Sequence, residues 1–191
     1  MDYFERTLNI ILDIGLNIPV AIWLLVPAFL IIALAMKHWR SKHASFRRKA
    51  DRQLKMLISC ETPQEKFYQL RKTNPFVFEE MILTALKNKG HKIKRNKRYT
   101  GDGGIDGQVF IDKKHYLIQA KRYRTHINPA HVNEFISLCN KRGSHGLFVH
   151  TGKTGAKSKD TAHNTNLEIV SGTRLLNLLD SNISDNNAWK T

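Results

Sequence analysis

The chain has 191 residues, room for one domain of ordinary size and something small beside it. Its 31 lysines and arginines against 16 acids leave a formal charge of +15, which demands a polyanionic partner, either nucleic acid or an anionic membrane face. Cys60 and Cys139 lie far apart, with no CxxC and no partnering histidine spacing, so a disulfide framework and a zinc site are excluded and a reducing compartment fits.

Residues 18–36, IPVAIWLLVPAFLIIALAM, carry no charge, and the apolar trend begins near Ile14. That length suits a helix crossing a hydrocarbon core of roughly 30 Å. A buried core helix is the alternative, but no other stretch is as apolar. ALA at 33–35 mimics a signal cleavage site, yet Asp2, Glu5, Arg6 and Asp13 ahead of it do not give the net positive start that a signal peptide needs. The following flank, KHWRSKHASFRRKADRQLK, holds eight Lys or Arg and one Asp. Positive charge beside an apolar run stays in the cytoplasm. The expectation is an N-terminal segment, 1–40, with one transmembrane helix at about 14–36, its N-terminus outside the inner membrane and the rest of the chain cytoplasmic. Pro27 offers a place for a kink.

Residues 41–73 read as a basic helical linker. The stretch 37–55 suits contact with anionic lipid headgroups and suits nucleic acid equally well. Thr62, Pro63 and Glu65 spell a capping box. From 74 to 180 the pattern becomes a domain. Asn74 caps a helix ending at Gly90, and HKIKRNK reads as a polar edge strand. IDGQVFI and HYLIQAK form a hairpin joined by DKK. Asn128 and Pro129 open a helix that stops at Gly143, and GLFVHT is a fully buried strand. A helix, LEIV as a strand, and TRLLNLL as a last helix complete an α-β-β-β-α-β-α-β-α order. Late parallel crossovers imply an α/β fold, a mixed sheet flanked by helices. Residues 181–191 read as a flexible tail.

Chemistry gathers around three places. On the strand LIQAKRY, Gln119 and Lys121 share one face and Ile118 and Ala120 the other, so the first pair meets solvent or a site. YTGDGGIDGQVFI places Asp106 at the start of the neighbouring strand, within reach of that pair. An acid, an amide oxygen and an ammonium converging there can hold a divalent cation and its water, Mg²⁺ or Mn²⁺ rather than zinc. Glycines let the backbone bend sharply and a phosphate approach. On the helix 75–89, Glu79 lies in one stripe with Ile82 and Leu86 and is directed toward the core side, where it needs a partner. Glu80 shares a more solvated lane with Thr84 and Lys87.

FEEMILTALKNKGHKIKRNKRYTGDGGIDGQVF, then LIQAKRY, then GLFVHTGKTGAKSKDTAHNTNLEIVSGTRLLNLL together resemble the Mrr-type catalytic domain of restriction endonucleases, a branch of the PD-(D/E)xK nuclease superfamily. The resemblance covers about Phe76 to Leu179. It implies the restriction-endonuclease-like α-β-β-β-α-β core and Mg²⁺-dependent DNA cleavage. It also implies Asp106 as a metal ligand, Gln119 in the place where most of the superfamily has a carboxylate, Lys121 beside the attacking water, and Glu79 supporting the metal from the helix. Two chains together would be needed for a double-strand break, which makes a homodimer a further expectation.

The remaining basic residues suggest DNA-backbone contacts. Lys97 and Arg98 end a run of seven Lys or Arg between 87 and 98, a DNA-tracking strip or a charged edge strand. Arg122 and Arg124 follow the catalytic strand, and Lys153 and Lys157 lie in HTGKTGAKS. That last stretch mimics a phosphate-binding loop, but the position needing its first glycine is Leu147. Asp102 reads as a turn former, and the histidines, His126 and His131 among them, as surface residues.

Overall fold

The computed structural model describes residues 3–9, 20–96 and 104–183, apart from the side chains at 20–24 and 39–41. The chain forms two compact units, Met1–Ala44 and Ser45–Thr191.

In the first unit, residues 3–9 are helical, and helix α1 (Val20–Ser59) begins, with Pro27 inside it. Its large apolar side chains from Leu25 to Met36 are 51–73% exposed. Four of them, Phe29 to Ile32, are consecutive, so the helix is apolar on every side and, among the described residues, that surface is left uncovered. Among the described residues no helix is long and apolar enough to cross a membrane. The expected span of 14–36 is described only from residue 20, and its side chains only from residue 25.

The second unit starts inside α1. Ala50, Leu54 and Leu57 recur at helical spacing and are buried in the main core, and Phe46 packs against the same cluster. Arg47, Arg48, Lys49, Arg52 and Lys55 point outward. The stretch 41–73, expected as a linker, therefore contributes part of the core, because a narrow apolar stripe underlies its charge. Helix α2 (Pro63–Lys72) carries the expected capping box, with Glu65 N–H donating to Thr62 Oγ1 and Thr62 N–H to Glu65 Oε2. Helix α3 (Pro75–Asn88) is capped by Asn74, whose Oδ1 accepts from Phe76 N–H.

Strands β1 (Lys92–Arg95), β2 (Gly107–Ile111), β3 (Lys114–Lys121), β4 (His145–His150) and β5 (Leu167–Val170) form one sheet in the order β1-β2-β3-β4-β5. The first two pairings are antiparallel and the last two parallel. Helices α4 (Pro129–Lys141), α5 (Ala156–His163) and α6 (Gly172–Leu179) complete the order expected from the sequence. The β2–β3 turn is tighter than DKK suggested. Only Asp112 and Lys113 lie outside the strands, both at positive φ, as a primed hairpin turn requires.

One sheet face, with Val109, Ile118, Leu147 and Val149, packs on α1, α3 and α6. The other, with Leu117 and Phe148, packs on Val132, Phe135 and Cys139 of α4. Strand β4 is covered on both faces, as its unbroken apolar run implies. Strand β1 is the expected polar edge, but two cations of its basic run are engaged inside the fold. Lys89 is 6% exposed and donates to the carbonyls of Asp180 and Ile183. Arg95 pairs with Glu80. Lys89 thus holds the first residues of the expected tail; residues 184–191 lie outside the described residues.

Candidate active site

Asp106 immediately precedes β2, and its backbone N–H extends the ladder by donating to Ile118 O at 2.8 Å. Its carboxylate turns across the hairpin and accepts from Ala120 N–H at 2.7 Å. That hydrogen bond fixes the carboxylate next to the end of β3, where Lys121 lies close enough to attract its charge. Burial nevertheless dominates and pushes the Asp106 pKa up to about 6.

Glu79 enters from α3. It is half-buried above Ile82 and Leu86, both fully buried. Burial pushes its pKa to about 8, with the charges of Asp106 and then Glu80 adding to the effect. Asp106 thus ionises first, and Glu79 keeps its proton at neutral pH. Two desolvated carboxyl groups with raised pKa values side by side mark a candidate functional site, and a cation would favour ionisation of both.

Gln119 is 9% exposed, so its face of β3 is not a wetted one. Its amide nitrogen donates to Gly104 O at 2.9 Å. Its amide oxygen is buried with no hydrogen-bond partner among the described residues. An orphaned buried acceptor is rare, and here it belongs to the residue standing in the usual carboxylate position. The carboxylate oxygens of Asp106 and Glu79 are hard donors of the kind that suit a divalent cation such as Mg²⁺, and the amide oxygen of Gln119 is of the same kind. Among the described residues no group of three or more His, Cys, Asp or Glu side chains is gathered for a metal. Asp106 and Glu79 are two carboxylates, short of such a group.

Gly104 explains part of the glycine turn. Its φ is +85°, and a Cβ there would come within 2.7 Å of Gln119 Nε2. Gly104→Ala should therefore cost about 1–2 kcal/mol and displace Gln119. Thermal melting would register the strain. A calorimetric Mg²⁺ titration should show affinity lowered about 10-fold, the size of effect seen when a ligand's support is lost.

Glu80 corrects the sequence reading. It is 2% exposed and bound by Arg95 Nε at 2.7 Å, while Arg95 also donates to Thr84 Oγ1 at 3.2 Å. Strand β1 lies across that lane of α3 and removes it from solvent, which helix periodicity alone could not reveal.

The DNA-contact candidates divide. Lys97 and Arg98, like Asp102, lie outside the described residues. Arg122 is half-buried and donates to Arg71 O at 3.0 Å, so part of its guanidinium braces the end of α2. Arg124, Lys153 and Lys157 are exposed. The loops bearing Arg124 and Lys153 are joined by Lys153 N–H to Thr125 O and Ile127 N–H to Lys153 O. All of this lies beyond the C-terminal ends of parallel β3 and β4, where α/β sheets place their ligands.

The sequence reading missed the polar network under that edge. Thr151 is buried, accepting from Tyr123 N–H and donating to Tyr123 O. The Tyr123 hydroxyl meets His131 Nδ1 at 2.5 Å. His150, expected at the surface with the other histidines, is fully buried, and burial lowers its pKa to about 4. Its Nδ1 accepts from Gly152 N–H, leaving Nε2–H for Thr154 Oγ1. His150 closes a strand already read as buried, and that was the available signal.

The family described as "Restriction endonuclease", the Mrr catalytic domain, matches residues 70–179. The Type IV methyl-directed restriction enzyme EcoKMrr of Escherichia coli (strain K12) is 28% identical over 127 residues, covering 62% of this chain and 42% of that protein. The chain therefore spans well under half the length of that relative. A structure of Pyrococcus furiosus SfsA in complex with Ca²⁺ is similar at 18% identity, covering 50% of this chain and 54% of that one with a TM-score of 0.35, too low to bear on the fold. The chain belongs to the Mrr-type restriction endonuclease family, nucleases of DNA phosphodiester bonds.

Proposed function

We propose that the chain is a membrane-anchored, Mg²⁺-dependent DNA endonuclease serving restriction or defence. The observation that carries it is the meeting of Asp106 with Glu79 and Lys121 at the C-terminal end of β3, the strand that also bears the orphaned Gln119 oxygen. Asp106, Gln119 and Glu79 would hold the metal, with Mn²⁺ as a substitute. The bound ion would supply charge neutralisation at the phosphate and acidify a water. Asp106 is oriented for this by Ala120 N–H, and Glu79, whose proton burial retains, would have to be ionised to serve as a ligand. Lys121 adds a cation beside the scissile phosphate and orients the attacking water. Arg124, Lys153 and Lys157 line the approach of the DNA backbone.

Anchoring is supported by the exposed apolar side chains from Leu25 to Met36 and by the basic flank that follows them. In this reading the N-terminus lies outside the inner membrane and the second unit in the cytoplasm. Methyl-direction belongs to the E. coli relative's name and is left for experiment. A homodimer would supply two such sites for a double-strand break.

The test is purified full chain on methylated and unmethylated plasmid, branched DNA and RNA, with Mg²⁺ or EDTA. Cleavage of duplex DNA in Mg²⁺ alone is expected. Binding without cleavage would make it an inactive tether, and cutting confined to junctions or RNA would replace the duplex reading.

The raised carboxyl pKa values give a pH prediction. A carboxyl with a folded pKa above its unfolded value binds more protons when folded, so the metal-free protein loses stability as pH rises from about 4 to about 8. A divalent ion must displace those protons. Mg²⁺ should therefore raise Tm more at pH 8 than at pH 6, and its apparent affinity should climb across that range. Equal Tm shifts at both values would contradict the pair as ligands.

A further inference from the structure

We infer that a groove between the end of α1 and the α2–α3 corner is a second DNA-backbone site, gripping the duplex away from the reacting phosphate. The inference rests on the DNA-cutting reading above but assigns a surface outside the catalytic edge. The groove has a volume of about 500 Å³ and lies wholly within the second unit. Its cations are Lys49 and Arg52 from α1 and Lys72 from the last turn of α2, and its polar lining includes Gln53 and Thr73.

All three cations are exposed, and among the described residues none of them is in a salt bridge. Two are held in place without being neutralised. Lys72 Nζ stands 4.2 Å above the Tyr68 ring, and Lys49 Nζ stands 6.0 Å from the Phe46 ring. Arg52 also lines an adjoining recess with Arg48, where Asp51 is the single acid.

The position of the groove decides between polyanions. Lys72 follows Arg71, whose carbonyl accepts from Arg122 and whose Nη2 donates to Thr151 O at 3.3 Å. Arg122 and Thr151 are the residues that follow β3 and β4 at the catalytic end of the sheet, so Lys72 sits one residue from the brace that ties α2 to that end. A duplex seated at Lys121 would bring neighbouring phosphates past α2. The recess is lined from α1, α2 and the start of α3, so its cations can reach a phosphate ridge from more than one side. The basic flank of α1 thereby gains a role in holding DNA.

The test uses the full chain in zwitterionic micelles, with EDTA present so that binding is read without cutting. Fluorescence anisotropy with a labelled duplex compares wild type with Lys49→Ala/Arg52→Ala/Lys72→Ala. The triple variant should bind at least about 10-fold more weakly at physiological salt, with its log–log salt slope reduced by about 2 to 3, as loss of three phosphate contacts requires. Lys49→Arg with Lys72→Arg should retain wild-type binding. Unchanged affinity and slope in the triple variant would overturn the inference. So would a triple variant that loses affinity only for nanodiscs bearing phosphatidylglycerol, which would make this a lipid site. Wild type that binds duplex without ever cutting it would remove the nuclease reading and leave this one standing.

Discussion

Asp106→Ala and Lys121→Ala should each lower Mg²⁺-dependent cleavage of plasmid DNA by at least about 100-fold while leaving the fold intact. The magnitude follows from what preorganised charge contributes at a transition state, where removing one stabilising group costs about 10²–10³ in rate. The two losses differ in kind. Asp106 is the one carboxylate of the site fixed by a backbone hydrogen bond, from Ala120 N–H at 2.7 Å, so its removal should abolish metal binding as well as rate. Removing Lys121 deletes a cation that attracts Asp106 but leaves the oxygen ligands in place. Both side chains are half-buried at the paired ends of β2 and β3 rather than packed in the core, so the melting temperature of each variant should fall by only a few degrees. Undiminished cutting by either variant would remove that residue from the site.

The second large effect concerns where the folded unit begins. A chain starting at residue 45 should fold, bind DNA and leave the membrane fraction. A chain starting at residue 60 should fail to fold or melt far lower. The difference lies in Ala50, Leu54 and Leu57, all under 10% exposed and all contributed by α1. Burying each leucine is worth about 1.5–3 kcal/mol, and the newly bared faces of α3 and α6 add to the loss. Against a typical total stability of about 5–15 kcal/mol, that is enough to unfold a domain of this size. Circular dichroism melts of the two truncated chains decide the matter. Equal stability would show that α1 is dispensable, and persistent membrane fractionation of the chain starting at 45 would move the anchor out of the apolar run.

The catalytic strand was legible because period-two alternation puts Gln119 and Lys121 on one face, and the glycine turn marks where β2 must begin. Capping residues placed the starts of α2, α3 and α4 because Thr62, Asn74 and Asn128 each satisfy backbone donors locally. What stayed hidden depended on partners distant in sequence. Glu80 looked solvated until β1 crossed its lane and brought Arg95 to it. Ala50, Leu54 and Leu57 were masked by the charged residues between them, since a stripe one residue wide barely registers against eight cations in the flank. Lys89 and Arg95 were counted with the basic strip although each is committed inside the fold. Gln119 was readable as a ligand position, but only the fold shows its oxygen buried and unpartnered.

The central claim is that Asp106 anchors a divalent ion which Lys121 then helps to use. Mn²⁺ binding to the full chain, followed by electron paramagnetic resonance, tests it most directly. Binding should persist in Lys121→Ala and vanish in Asp106→Ala. An Asp106→Ala chain that still binds Mn²⁺ with wild-type affinity would contradict the account.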